Sequence, residues 1–429
     1  MILAVFLISI FTFLFLGVPV AFSILLTVLT MAEASGVTSY EIVPSYLYSG
    51  VNNFALLAIP FFVFCGDLMT AGDLSKGIVE FCRVLLGHVR AGIGYAAILA
   101  CMIFAALTGA AVVTISAIGG IMLPIMIKEG YDAADSTACV CAGSITGPII
   151  PPSLPMVIFG VLSGASVTRM FIGGVIPGVI TGLVCMLAWY FMNKNKNYAL
   201  MPKATPQEVW TAFKKAFPAL MMPVIMMGGI LSGIFTPTEA AVVAIFYTIL
   251  VGIFIHKELT LKSFMASLKT TSWLTGRVLV LVFTATAFGY LLTSYRIPVE
   301  IANWILSFTN NVNLVWFFVV ILLLFLGMFM ETLAIIMLVT PVLLPIMTAY
   351  GVDPIHFGII LICCCGIGFS TPPLGENMFI ASGIANVSLE EISLKALPLV
   401  AINIAVIAIL VMFPDIVLFL PNLMGTGLQ

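Results

Sequence analysis

Long apolar tracts separated by short polar joints run the length of the chain. A helix needs roughly 20 apolar residues to cross a hydrocarbon core of about 30 Å. By that measure the candidate spans are 2–31, 53–71, 93–127, 171–192, 218–235, 238–255, 272–293, 314–348 and 396–420. Apolar residues run continuously within the tracts instead of alternating, which predicts helices and argues against a lipid-facing β-barrel. Two shorter apolar pairs flank Pro-rich turns, at 136–165 and 357–386. Each of their arms has only about 10–13 residues, too short to span comfortably, so both pairs read as re-entrant hairpins. Stretches 73–90 and 206–216 are amphipathic and are expected to lie along the membrane surface.

Composition strengthens this picture. The 429 residues are 62% hydrophobic and 8% charged, against roughly 25% charged in soluble chains. Lipid must be the solvent for most of the chain, which excludes a soluble enzyme and a secreted disulfide scaffold. A net charge of −2 leaves no basic field for nucleic acid. The first 30 residues lack a basic start and a cleavage site, so they read as a retained helix. The nine Cys lie mostly in apolar tracts, as small core residues do. His88, His256 and His356 have no ligand spacing.

Basic residues orient the spans. Lys76, Arg83 and Arg90 lie in 73–92; Lys194, Lys196, Lys203, Lys214 and Lys215 in 193–217; Lys257, Lys262, Lys269 and Arg277 in 256–277. All three stretches are placed in the cytoplasm, and span parity adds Lys395. Of the 16 basic residues only Lys128, Arg169 and Arg296 fall elsewhere.

The chain also repeats itself at a constant offset of 221. Leu123-Pro124-Ile125-Met126 matches Leu344-Pro345-Ile346-Met347; Gly130, Asp132 and Gly147 match Gly351, Asp353 and Gly368; Pro151-Pro152 match Pro372-Pro373; Pro177 matches Pro398. By the charge count the first copy starts outside and the second inside, so the copies are inverted. Inverted repeats with interrupted segments are the signature of a secondary transporter. The expected fold is an all-α polytopic membrane protein with two re-entrant hairpins and two broken transmembrane helices.

Span 93–127 is too long for one crossing, and Leu107-Thr108-Gly109-Ala110-Ala111 near its middle favours a break there. Its repeat mate carries Gly327 and Glu331 in the same zone. Broken helices bare carbonyls, which suit Na⁺, and N–H ends, which suit a carboxylate. The Pro-rich tips, Ser144 to Ser153 and Gly366 to Leu374, add hydroxyls and a backbone that Pro stops from continuing as helix. Glu331, deep in an apolar span, is a functional candidate. Arg277 and Asp67 sit near span ends and read as snorkelling. Glu239 in Thr236-Pro237-Thr238-Glu239 reads as a capping residue. With no chain of Asp, Glu or His at depth, Na⁺ is favoured over H⁺ as coupling ion.

Three motifs, Gly147-Pro148-Ile149-Ile150-Pro151-Pro152-Ser153, Gly233 through Ala241, and Thr371-Pro372-Pro373-Leu374-Gly375, resemble the large membrane subunit of tripartite ATP-independent periplasmic (TRAP) transporters. The resemblance runs from about residue 5 to 420. It implies Na⁺-coupled uptake by an elevator motion, a periplasmic binding protein that delivers an organic acid, and a small four-helix membrane subunit. That subunit is expected not to be fused here, since no extra helices precede residue 1. Carried over, one Na⁺ site uses Thr108, Gly109, Gly147 and Ser153, and the other Gly327, Gly368 and Thr371. Glu331 stands where similar sequences often carry Asp, and Ala110 where Ser is common.

Substrate is expected between the tips, near Ser144, Ser153, Thr371 and Glu331 and the pairs Pro151-Pro152 and Pro372-Pro373. No cofactor beyond Na⁺ is expected. The expected organisation is scaffold and first arm in 1–92, transport domain in 93–170, scaffold and second arm in 171–313, transport domain in 314–393, and a C-terminal scaffold helix in 394–429. A stand-alone carboxylate carrier or exchanger is the alternative. Intramembrane-protease signatures (His-Glu-x-x-His, Gly-x-Ser-Gly, paired membrane Asp) are absent.

Overall fold

The computed structural model describes residues 2–35, 42–72, 74–196, 198, 201–372 and 375–424, and among these every regular element is helical. Helices α1 (Ile2–Phe15) and α2 (Val20–Ser35) replace the single expected span 2–31. Gly17 takes φ +76° between them, and Pro19 cannot extend α1. Then follow α3 (Ile42–Val51), α4 (Phe54–Ala71), the amphipathic α5 (Leu74–Leu86), α6 (Gly92–Thr108), α7 (Ala111–Lys128), α8 (Ala133–Ser144), α9 (Leu154–Ser163) and α10 (Val167–Asn193). Helix α11 (Pro206–Leu231) is continuous, so 206–216 is the first part of a long helix and not a separate surface element. Thr205 and Glu208 close a capping box at its start, and Thr236 with Glu239 close one at the start of α12 (Pro237–Ile255), as the sequence suggested for Glu239.

The second half contains α13 (Leu261–Ser294), α14 (Ile297–Phe308), α15 (Val312–Gly327), α16 (Thr332–Ala349), α17 (Pro354–Gly368), α18 (Glu376–Ala385), α19 (Leu389–Met412) and α20 (Pro414–Leu423). The last two divide the expected span 396–420 at Phe413-Pro414.

Both interruptions of each repeat fall where expected, but their roles are exchanged. The Trp189 indole N–H donates to the Ala91 carbonyl (3.0 Å), just before α6, and the same ring lies over Tyr131, just after α7. The two ends of 92–128 therefore meet, and α6–α7 is a hairpin. In the other copy the Tyr350 hydroxyl, after α16, donates to the Thr309 carbonyl, before α15 (2.9 Å), so α15–α16 is a hairpin as well. The segments read as hairpins run straight through. Helix α10 starts beside the end of α9, where a Cβ on Gly160 would lie 2.8 Å from Val167. Residue Lys196, just beyond its other end, pairs with Asp135 in the first turn of α8. A 27-residue helix covers about 40 Å, so α8–α9 extends along that whole length. The correction leaves span parity unchanged.

Helix α19 measures the inversion. Lys395 near its start pairs with Asp135 at 3.1 Å, whereas the Leu410 carbonyl near its end lies 3.0 Å from His356 Nε2 at the start of α17. Fifteen residues of helix separate these contacts by about 22 Å. The two interrupted helices thus begin at opposite ends of the bundle.

Two packing groups result. In one, α13 lies along α2, α3 and α4, with α5, α11 and α12 beside them. In the other, α6 packs on α8, α15 on α17, and α9 on α16. Helices α10 and α19 find their main neighbours in this second group, including α6, α8 and α17. Asp135 is 3% exposed under the ammonium groups of Lys196 and Lys395. All nine cysteines are buried and unpaired.

Candidate functional site

Each hairpin turn is pressed against the interruption of the neighbouring helix. Gly109 turns the chain between α6 and α7 with φ +63°, and a Cβ there would lie 2.5 Å from the Pro152 carbonyl oxygen. A Cβ on Gly147 would lie 2.7 Å from Ala111 N, and one on Gly368 would lie 2.5 Å from the Gly327 Cα. Only glycine permits these approaches. Thr108, Gly109, Gly147 and Ser153 therefore come together, and so do Gly327, Gly368 and Thr371. Thr108 donates to Phe104 O (3.2 Å), Ser153 to Pro148 O (2.6 Å) and Thr371 to Ile367 O (2.7 Å). Each hydroxyl thereby keeps lone pairs for a cation. No group of three His, Cys, Asp or Glu able to hold a metal occurs among the described residues. Neutral oxygens at a hairpin turn fit a hard monovalent ion better than a transition metal.

The two interruptions also meet each other. Asn377 Nδ2 donates to Ser144 Oγ (2.8 Å), Ser144 donates to Cys141 O (2.6 Å), and Ser370 donates to the same carbonyl (3.1 Å). The Asn377 Oδ1 is buried without a partner among the described residues, an acceptor that a cation could satisfy. This arrangement places Ser144 inside the wall, fully buried, and not at the substrate position expected for it. Pro151 and Pro152 are buried behind the wall too. Pro372 is half-buried and off the cavity, and Pro373 lies outside the described residues.

A cavity of about 240 Å³ opens between the packing groups, and Glu331 lines it. Four helices begin there: α7 at Ala111, α9 at Leu154, α16 at Thr332 and α18 at Glu376. A helix start carries about half a positive charge and bare N–H groups, so the four together amount to roughly +2, against which the carboxylates of Glu331 and Glu376 line the same cavity. Arg277 adds a formal charge. It is not a snorkelling end residue: α13 begins 16 residues before it, and its guanidinium pairs with Glu331 at 3.0 Å while lying over Trp273 at 5.1 Å. Asp67 is similarly engaged, accepting from Thr271 at 3.3 Å. A larger cavity of about 430 Å³ lies farther along α13, but no charged side chain among the described residues lines it.

Sequence reading missed Arg277, Glu376 and Asn377. Starting the span at 272 made Arg277 look terminal. For Glu376 and Asn377 the available signal was their position directly after the Pro-Pro-Leu-Gly interruption.

Comparison with known proteins gives the family and the fold. The family model for the DctM component of tripartite ATP-independent periplasmic transporters matches residues 7–416. The isethionate TRAP transporter permease protein of Oleidesulfovibrio alaskensis is 40% identical over 95% of the chain, which spans 64% of that protein. The large permease protein of the sialic acid TRAP transporter of Vibrio cholerae is 35% identical, over 96% of the chain and 97% of its own length. In fold, the chain resembles the YdaH transporter of Alcanivorax borkumensis with a TM-score of 0.62 and 14% identity, over 86% of the chain and 87% of that structure.

Proposed function

We propose, since the chain belongs to the family of DctM components of tripartite ATP-independent periplasmic transporters, that it carries an organic anion across the inner membrane and is driven by Na⁺. Membership makes the chain a multi-pass inner-membrane transport protein and not an enzyme. The observation that supports an anionic substrate most strongly is the convergence of four helix starts and Arg277 on one cavity. In lipid, bare backbone of this kind is tolerable only where it serves a ligand or lines a cavity.

In this reading Na⁺ binds where each hairpin turn meets its interruption. One site comprises Thr108, Gly109, Gly147 and Ser153; the other comprises Gly327, Gly368 and Thr371, with Asn377 Oδ1 near the point where the interruptions cross. A bound ion ties turn to interruption and so fixes the helix starts that face the anion. Packing suggests a moving body of residues 92–196 and 312–424, with the remaining helices as scaffold. The moving body slides past α13 in an elevator motion, and the Arg277–Glu331 pair, which bridges the two bodies, opens as it does so. The partners are a periplasmic binding protein that delivers the substrate and a small four-helix membrane subunit against the scaffold.

The test is uptake into proteoliposomes holding the chain with its small membrane subunit and binding protein, with labelled isethionate and sialic acid as probes. Uptake should need an inward Na⁺ gradient and the binding protein. Equal uptake in K⁺ alone would remove the coupling. Equal uptake without the binding protein would remove the tripartite reading.

A further inference from the structure

The cavity walls are not alike. On the first-copy side, α7 starts after Ala110, which has no capping side chain. Helix α9 starts after Ser153, whose hydroxyl is committed to Pro148 O and makes no cap bond. Both helix starts present unopposed N–H groups. On the second-copy side neither start has a side-chain cap bond, but a carboxylate stands at each: Glu331 is the residue before α16, and Glu376 is the first residue of α18. Arg277 stands on this side, but Glu331 balances it at 3.0 Å. The Thr332 hydroxyl, on a residue 3% exposed, also lines the cavity and has no hydrogen-bond partner among the described residues. One wall therefore attracts negative charge, and the other offers acceptors and negative charge.

We infer that the cavity selects organic acids with a single anionic group. A carboxylate or sulfonate rests on the starts of α7 and α9, and a hydroxyl or ammonium end meets Glu331, Glu376 and Thr332. A dicarboxylate of the same length sets its second charge against two glutamates and is disfavoured. This inference rests on the organic-anion reading above and narrows it.

The experiment is thermal stabilisation of the purified chain in detergent and saturating Na⁺ by matched pairs differing in one terminal group: 4-hydroxybutyrate and succinate, 3-hydroxypropionate and malonate, gluconate and glucarate. In at least one pair the monoanion should reach half-maximal stabilisation at a concentration tenfold or more below its dianion. Glu376→Gln should narrow that ratio by at least threefold, chiefly by improving the dianion. A wild type that prefers the dianion, or shows no preference, overturns the inference while the organic-anion reading stands. So does a folded Glu376→Gln variant with an unchanged ratio. If that variant does not fold, the wild-type ratio alone decides. Stabilisation by no member of any pair overturns the organic-anion reading itself.

Discussion

Gly368→Ala tests the contact on which the second cation site depends. The added Cβ lies 2.5 Å from both Cα and C of Gly327 and 2.8 Å from its O. Ordinary contact begins at 3.4 Å, so hairpin turn and interruption must part by about 1 Å. Overpacking of this kind costs about 1–3 kcal/mol. The substitution recovers at most about 1 kcal/mol of backbone entropy as glycine becomes alanine in a helix. A net loss of about 1–2 kcal/mol lowers the melting temperature of a chain this long by about 1–2 °C. The ion site suffers more, because coordination tolerates only about 0.2 Å. Saturating Na⁺ at 100 times its dissociation constant stabilises a protein by about 2.7 kcal/mol per site. That increment, read as the melting shift on Na⁺ titration, should shrink in Gly368→Ala. Gly276→Ala on α13 is the control: nothing lies within 4 Å of its Cβ, so the sign reverses and stability rises by up to about 1 kcal/mol. A Gly368→Ala protein with wild-type melting and an intact Na⁺ shift would refute the contact and the site together.

Three further outcomes are expected. Arg277→Gln removes the only basic side chain among the described residues that line the cavity; the pair is 51% and 34% exposed, so melting changes by no more than about 1 kcal/mol. Uptake should nevertheless fall at least tenfold, because Glu331 is left without its counter-charge beside the substrate, and wild-type uptake would exclude the Arg277–Glu331 pair from transport. Asp135→Asn strips Lys196 and Lys395 of their shared carboxylate. The loss, measured by thermal melting, should be about 2 kcal/mol, below the 3–5 kcal/mol of fully buried pairs because both lysines reach water. Finally, single cysteines at Lys395 and Asn311 should react with an impermeant thiol reagent from opposite faces of sealed vesicles, over a low background from nine buried native cysteines; labelling from one face would contradict the inversion.

The sequence by itself determined the helical membrane class, the inverted repeat and the places where helices stop. These are local or periodic properties. Apolar run length sets the class, Gly109 and Pro151-Pro152 break the hydrogen-bond ladder wherever they stand, and Thr236 and Glu239 cap by spacing alone. The glycines of both proposed cation sites were legible for the same reason. Only the tertiary structure decided which broken segment turns back and which continues. A break frees the chain direction without choosing it; the choice comes from distant partners such as Trp189, which gathers Ala91 and Tyr131 at one end of the first hairpin. The same holds for Arg277 with Glu331 and for Asn377 with Ser144, pairs made across 54 and 233 residues. No periodicity in a single strand of sequence records contacts at such separations, because they arise when inverted copies pack against each other and against the scaffold.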